Sequence, residues 1–173
     1  MKILIADKLS PKAIEALDKI GAEITSNPDL KAEELSDAIG NANVLIVRST
    51  KVYAETIEAG KSLELIIRAG AGVNNIDLEK ASSSGVYVSN CPGKNSDAVA
   101  ELALGHIIAC DRRIVDASLD LRSGNWKKKA YQNAAGLKGR TLGIIGLGSI
   151  GRALAKLAKG LNMRVIAWSR SLT

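Results

Sequence analysis

The chain has 173 residues, of which 46% are hydrophobic and 24% are charged, a composition typical of one globular domain or slightly more. No apolar run approaches the about 18 residues that a membrane-spanning helix needs, and the polar residues close to Met1 argue against a secretory signal. The two cysteines, Cys91 and Cys110, are too few for a disulfide framework and lack the spacing of metal ligands. We therefore expect a reduced, cytoplasmic protein without a metal site.

The net charge of +6 is divided unevenly along the sequence. Residues 1–90 contain ten Lys/Arg and thirteen Asp/Glu, whereas residues 91–173 contain fourteen and five. A basic half is one mark of nucleic-acid binding, but aromatic residues make up only 3% of the chain and 127–129 is the only dense basic run. The charge therefore favours a bound anion, or acidic sequence elsewhere that balances it, over a nucleic-acid surface.

The first ninety residues alternate between short apolar runs and helical patterns. Ser10 and Pro11 are a typical cap and first residue for a helix over 11–17. Strands that alternate with helices at intervals of about twenty residues predict βαβ units, and hence an α/β fold with a parallel sheet. The predicted strands are 3–6, 22–25, 44–47, 65–67 and 86–88.

A longer helical pattern follows, over about 96–123, and Gly124 is a plausible end for it. Its length and many small residues predict a connecting helix or a dimer surface. The only histidine, His106, lies within this apolar pattern, so we interpret it as a packed or interface residue.

A second α/β segment begins near Thr141, with a strand over 142–145, a helix over 153–161 and a strand over 163–168. Between the first strand and the helix, the sequence matches G-x-G-x-x-G in the context that a dinucleotide-binding loop requires. The glycines allow a tight turn, a close pyrophosphate and close helix packing, and the helix N-terminus supplies N–H donors. The predicted cofactor-binding residues are Gly146, Gly148, Ser149, Ile150 and Gly151.

The residues after this loop bear on the choice between NAD and NADP. An NAD site usually carries an Asp or Glu about twenty residues further on, which binds the ribose hydroxyls, but no acidic residue follows Gly151. Instead Ser169, Arg170 and Ser171 end the second strand, and a hydroxyl beside a guanidinium can bind a 2′-phosphate. We expect NAD or NADP, with NADP slightly favoured.

These motifs together resemble the N-terminal part of the D-isomer-specific 2-hydroxyacid dehydrogenases, in particular the D-3-phosphoglycerate dehydrogenase branch. The resemblance runs in order through essentially the whole chain. It rests on V-R-S-T-K at 47–51, R-A-G-A-G-V-N-N-I-D at 68–77, C-P-G-K-N-S at 91–96, A-E at 100–101, G-N-W at 124–126 and L-K-G-R-T-L-G at 137–143.

The resemblance implies roles for five residues of the first ninety. Arg48 and Ser49 match the loop that meets the acid or phosphate end of the substrate, and Ala69 and Gly70 match the turn whose N–H groups receive its carboxylate. Ala71 matches a position near the nicotinamide. Asn74 departs from the usual Asp of the family, and the Arg48–Ser49 loop is about one residue shorter than in many phosphoglycerate dehydrogenases, which leaves the substrate open.

The resemblance also implies the organisation of the chain: a flavodoxin-like substrate domain over 1–94, the connecting helix over 95–125, and the incomplete start of a Rossmann domain over 126–173. The catalytic His, its Glu partner and a carboxylate-orienting Arg are implied to lie beyond these residues. No catalytic residue is therefore assigned within the chain, and we expect it to be inactive alone.

Three functions remain open at this point. The first is oxidation of 3-phosphoglycerate at the entry to serine biosynthesis by a homodimeric parent enzyme. The second is reduction of glyoxylate or hydroxypyruvate, and the third is a non-catalytic dimerisation or binding module of the same superfamily.

Overall fold

The computed structural model describes residues 1–170, so that Ser171 lies outside the described residues. The chain divides into two compact units, unit 1 from Met1 to Lys94 and unit 2 from Asn95 onward. Each unit has its own sheet, and each is described by itself.

Unit 1 is built on a five-stranded parallel sheet with the strand order β2-β1-β3-β4-β5. This is the order of flavodoxin-like sheets, and it confirms the predicted parallel α/β architecture. The strands are β1 (Lys2–Ile5), β2 (Glu23–Ser26), β3 (Val44–Val47), β4 (Leu65–Arg68) and β5 (Tyr87–Ser89). The helices are α1 (Pro11–Asp18), α2 (Leu35–Ala38), which follows a 3₁₀ turn at Ala32–Glu34, α3 (Ala54–Ala59) and α4 (Leu78–Ser83).

The two central strands explain why the core of unit 1 has two layers. Successive side chains of a strand point to opposite faces, and in β1 Leu4 packs on one face whereas Ile3 and Ile5 pack on the other. The same alternation in β3 makes all four of its residues buried. A strand buried on both faces is an apolar run without polar alternation, which is the pattern that the sequence shows here.

The start of α1 follows the prediction from sequence. The Ser10 hydroxyl accepts a hydrogen bond from the Ala13 N–H at 3.3 Å, and Pro11 occupies the first turn. This cap satisfies one of the N–H groups that a helix N-terminus leaves without a partner.

The single connecting helix predicted over 96–123 is wrong, because the chain breaks it into α5 (Ser96–Arg112) and α6 (Ile114–Arg122). Arg113 adopts the left-handed conformation with φ of +51°. Its guanidinium binds the Asp116 carboxylate at 3.2 Å and lies 4.8 Å from the centre of the Tyr131 ring. The apolar periodicity continues through the break, so the hydrophobic pattern gives no sign of it.

Unit 2 continues with α7 (Lys128–Tyr131), β6 (Thr141–Ile145), α8 (Ser149–Gly160) and β7 (Arg164–Trp168). The two strands are parallel and in register from Thr141↔Arg164 to Ile145↔Trp168, and α8 packs against α5. His106 is exposed on α5, so it is not packed within the isolated chain, and the alternative that it is an interface residue stays a prediction. Within residues 1–170, no helix is long and apolar enough to cross a membrane.

Candidate functional site

The predicted substrate residues lie at the carboxyl-terminal edge of the unit 1 sheet. Val47 and Arg68 are paired at the ends of β3 and β4, so the loops that follow these strands are neighbours. The strand order reverses between β1 and β3, and ligands of open α/β sheets bind in the crevice at such a point. The fold therefore brings Arg48, Ser49 and the 69–75 loop to the edge where a ligand is expected.

Asp7, two residues after the end of β1, binds the loop that follows β3 across this crevice. Its Oδ2 atom accepts hydrogen bonds from the backbone N–H groups of Arg48 at 2.7 Å, Ser49 at 3.1 Å and Thr50 at 3.0 Å. All three N–H donors of the β3 loop are therefore used within the protein. The exposed side chains of Arg48 and Ser49 are what this loop can offer to a ligand.

These hydrogen bonds determine the ionisation of Asp7. Burial acts to raise the pKa of its carboxyl, but the hydrogen bonds from the three backbone N–H groups and from the Thr50 side chain outweigh burial, and the pKa lies below its usual value. A lowered pKa in the folded state means that the carboxylate stabilises the fold at neutral pH. This contribution is lost as the pH falls through the lowered pKa.

Arg68, the last residue of β4, joins the two loops. Its Nε atom donates to the Arg48 carbonyl at 3.0 Å, and its Nη1 atom donates to the Gly72 carbonyl at 3.2 Å. A Cβ atom on Gly70 would lie 2.5 Å from Arg68 Nη1, so Gly70 leaves the space that the guanidinium fills. Asn75 adds a second connection, because its Nδ2 atom donates to the Thr50 carbonyl at 2.7 Å.

The N–H groups predicted to receive the substrate carboxylate already have partners. The Ala69 N–H donates to the Val47 carbonyl at 2.7 Å, and the Gly70 N–H donates to the Arg68 carbonyl at 2.8 Å. The structure therefore does not offer these two groups to a ligand, because the end of β4 uses them to continue the sheet and to make a tight turn.

The backbone N–H groups that remain available to a ligand are those of the two residues after Gly70, which are Ala71 and Gly72. The Gly70 carbonyl accepts from the Cys91 N–H at 2.9 Å, and the Ala71 carbonyl accepts from Asn90 Nδ2 at 2.7 Å. In a planar trans peptide the next N–H points away from the carbonyl, so the N–H groups of Ala71 and Gly72 face away from the segment after β5. Among residues 1–170, neither N–H has a hydrogen-bond partner. Two successive free N–H groups are a typical anion-binding feature.

The glycine loop of unit 2 fits a dinucleotide. Gly146 has a φ of +98°, which favours glycine, and its N–H donates to the Trp168 carbonyl at 2.7 Å. A Cβ atom on Gly151 would lie only 2.3 Å from the Gly146 carbonyl oxygen, whereas nothing lies within 4 Å of a Cβ on Gly148. Gly151 thus allows α8 to pack against the loop, and Gly148 leaves its outer side open.

The N-terminus of α8 presents the donors that this loop needs. The helix begins at Ser149, four residues earlier than predicted from sequence, and Gly148 as the capping residue has no side chain to satisfy the first N–H groups. Ser149, Ile150 and Gly151 occupy the first turn, where backbone N–H groups have no partner within the helix. A bound pyrophosphate would satisfy them.

Ser169 and Arg170 follow β7 directly. Ser169 is half-buried and Arg170 is exposed, at the end of the strand that pairs with β6. This is the strand end where a dinucleotide-binding unit holds the adenosine ribose. Ser171 completes the predicted cluster but lies outside the described residues.

Three residues that organise the unit 1 site, Asp7, Arg68 and Asn90, were not predicted from sequence. Each lies within two residues of the carboxyl end of a parallel strand, which is the signal that could have found them. Their hydrogen bonds go to backbone groups of other loops, and the linear sequence gives no direct sign of such partners. Among the described residues, no cluster of three or more His, Cys, Asp or Glu side chains could hold a metal ion.

Comparison with known proteins shows the family to which this sequence is related. The family described as "D-isomer specific 2-hydroxyacid dehydrogenase, catalytic domain" matches residues 3–169. A hydroxypyruvate reductase of Thermotoga maritima is 44% identical over 169 residues, which are 96% of this chain and 55% of that protein. A D-3-phosphoglycerate dehydrogenase of Methanocaldococcus jannaschii is 43% identical over 97% of this chain and 32% of its own length. The chain thus spans about a third to a half of these relatives.

Solved structures agree with this similarity. An NAD⁺-bound 3-phosphoglycerate dehydrogenase of Entamoeba histolytica has a TM-score of 0.80 and 32% identity, and the match covers all of this chain and 55% of that one. An acyclic imino acid reductase in complex with NADPH and D-Arg has a TM-score of 0.87 and 28% identity, with 100% and 57% covered. Similar structures thus bind NAD or NADPH. The sequence match, the parallel sheet and the glycine loop place this chain in the D-isomer-specific 2-hydroxyacid dehydrogenase family.

Proposed function

We propose that this chain forms the substrate-binding unit and the first part of the dinucleotide-binding unit of an NAD(P)-dependent oxidoreductase that acts on a small 2-hydroxy acid. The free N–H groups of Ala71 and Gly72, in the loop that Arg68 joins to the backbone of the exposed Arg48, are the observation that carries the proposal. Two N–H donors suit a carboxylate, and the guanidinium of Arg48 would bind a second anionic group. The glycine loop of unit 2 would hold the dinucleotide.

The proposed chemistry needs more than these binding groups. A nicotinamide cofactor accepts or donates the hydride, and a base must take the proton of the substrate hydroxyl. The sequence carries one histidine, on α5 of unit 2, and no described carboxylate is hydrogen-bonded to it. We therefore propose that the chain binds its ligands but does not turn them over alone.

We favour 3-phosphoglycerate as the substrate, because Arg48 offers a phosphate partner that a smaller acid would not need. The relative named a hydroxypyruvate reductase supports the alternative of glyoxylate or hydroxypyruvate. The two alternatives differ in what Arg48 would bind. In the first it binds a phosphate remote from the carboxylate, and in the second it binds the carboxylate end itself.

Replacing Arg48 by Gln tests this choice. We expect the affinity for 3-phosphoglycerate to fall about tenfold to a hundredfold, because a charge-assisted hydrogen bond is lost, while the affinity for D-glycerate stays unchanged. NMR titration of the chain measures both affinities. Lys51→Gln removes an exposed charge of the neighbouring segment and serves as the control. Equal losses for the two acids would favour the reductase alternative.

We also propose NADP rather than NAD as the preferred cofactor, on the basis of Ser169 and Arg170. The guanidinium of Arg170 is exposed at the end of β7, and no acidic side chain between Gly151 and Arg170 would repel a 2′-phosphate.

Replacing Arg170 by Gln is expected to lower the affinity for NADPH about tenfold and to leave the affinity for NADH unchanged, because only NADPH carries the 2′-phosphate. Quenching of tryptophan fluorescence by each nucleotide measures these affinities. Arg164→Gln, at the opposite end of β7, is the matched control. Equal changes for NADPH and NADH would exclude a role for Arg170 in the choice of cofactor.

A homodimer is the remaining part of the proposal, and α6 supports it. Its side chains Val115, Leu119 and Leu121 are 57–63% exposed in the isolated chain, and exposed apolar surface of this extent on one helix is typical of an interface. The same surface supports the alternative that the chain is a non-catalytic dimerisation module. In that case it would pair with a second copy without binding a nucleotide.

A further inference from the structure

We propose that Asp7 is a positioning residue for the substrate: its carboxylate occupies the N–H groups of the Arg48–Thr50 loop, and in this way it holds the Arg48 and Ser49 side chains toward the ligand. The inference rests on the proposed function and deepens it.

The carboxylate of Asp7 occupies a group of backbone N–H donors of the kind that often binds an anion. Three successive backbone N–H groups within 3.1 Å of one carboxylate oxygen form an anion-binding site, and here the protein supplies its own anion. A substrate carboxylate or phosphate is thereby excluded from these donors. The ligand is left with the side chains of the loop and with the N–H groups of Ala71 and Gly72.

The opposite side of the same loop is also held. Arg68 binds the Arg48 carbonyl at 3.0 Å, and Asn75 binds the Thr50 carbonyl at 2.7 Å. Both ends of the loop backbone are thus fixed through side chains of β4 and the segment after it, while Asp7 fixes the N–H side from β1. Such a loop cannot rotate its peptides without breaking several hydrogen bonds, so the direction of the Arg48 side chain depends on Asp7.

Charge and positioning make opposite predictions for Asp7→Asn. If Asp7 acted only through Coulomb repulsion, removing its negative charge would raise the affinity for anions at the neighbouring site. If Asp7 acts by holding the loop, its loss lowers the affinity, because the neutral amide oxygen accepts weaker hydrogen bonds and Arg48 is no longer oriented. We expect the affinity for 3-phosphoglycerate to fall about fivefold to tenfold.

The experiment is an NMR titration of the 173-residue chain with 3-phosphoglycerate, for the wild type, Asp7→Asn, Arg48→Gln and the double variant. If Asp7 acts through Arg48, the double variant binds no more weakly than Arg48→Gln alone. Asp18→Asn, an exposed carboxylate at the end of α1, controls for the change in net charge. An affinity for 3-phosphoglycerate that rises or stays unchanged in Asp7→Asn, or losses that add in the double variant, would overturn the proposal.

A second measurement separates this proposal from the proposed function. Hydrogen exchange of the Arg48, Ser49 and Thr50 amides is expected to accelerate in Asp7→Asn and not in Asp18→Asn, whatever ligand the protein binds. Unchanged exchange at these amides would refute the role of Asp7. Failure of the wild-type chain to bind 3-phosphoglycerate, D-glycerate and hydroxypyruvate, with exchange accelerated as expected, would instead count against the proposed function and would limit Asp7 to holding the loop.

Discussion

Replacing Gly151 by Ala is expected to destabilise unit 2 by about 3 kcal/mol and to abolish dinucleotide binding. The added Cβ atom would lie 2.3 Å from the Gly146 carbonyl oxygen and 3.3 Å from Ile144 Cγ2. The first atom belongs to the backbone, so the clash can be relieved only if α8 moves away from the loop. That movement separates the first turn of the helix from the glycines that precede it.

Both tryptophans of the chain, Trp126 and Trp168, lie in unit 2, so urea unfolding followed by their fluorescence reports on this unit. Gly160→Ala, in the last turn of the same helix and with nothing within 4 Å of its Cβ, is the matched control and should leave stability nearly unchanged. Gly148→Ala should keep the fold and weaken binding of the nucleotide, because its Cβ enters the open side of the loop. A Gly151→Ala variant as stable as Gly160→Ala would contradict the packing role of this glycine.

Replacing Gly70 by Ala is expected to weaken binding of the 2-hydroxy acid about tenfold while unit 1 loses only about 1 kcal/mol of stability. The new Cβ atom would lie 2.5 Å from Arg68 Nη1 and 2.6 Å from its Cζ. Because these atoms belong to the end of a flexible side chain, the guanidinium moves and the fold remains. In moving, it loses its hydrogen bonds to the carbonyls of Arg48 and Gly72.

Arg68→Ala removes the same two hydrogen bonds by removing the guanidinium itself. It should lower the affinity for the 2-hydroxy acid to a similar extent. If Gly70→Ala acts only by displacing Arg68, adding it to Arg68→Ala has no further effect on the affinity. Lys12→Ala, which removes an exposed cation from α1 of the same unit, controls for the change in net charge. Full affinity in Gly70→Ala would show that the two loops keep their positions without Arg68.

Much of unit 1 could be predicted from local sequence. The apolar runs of β1 and β3 have no polar alternation, and the structure buries them on both faces of a parallel sheet. Ser10 and Pro11 begin α1 because their chemistry acts within one turn of the helix. The glycine loop was predicted for the same reason, since its three glycines, its strand and its helix are contiguous in sequence.

The break at Arg113 and the donors of the β4 loop could not be predicted in this way. Arg113 leaves the helical conformation where its guanidinium meets Asp116 and the ring of Tyr131, and the latter is eighteen positions further along the chain. The N–H groups of Ala69 and Gly70 have the same chemistry as those of Ala71 and Gly72. The Val47 and Arg68 carbonyls occupy the first pair, whereas Cys91 and Asn90 bind the carbonyls that precede the second pair and leave its N–H groups free.

The sequence by itself therefore determined the parallel α/β class, the start of α1 and the glycine loop, because each depends on side-chain patterns within one or two elements. Only the tertiary structure decided that Asp7 occupies the N–H groups of the Arg48 loop, that Arg68 joins this loop to Gly72, and that the free donors are Ala71 and Gly72. The physical reason is that a backbone N–H or carbonyl is the same group at almost every residue. Which of them stays available to a ligand depends on partners that the fold brings from distant parts of the chain.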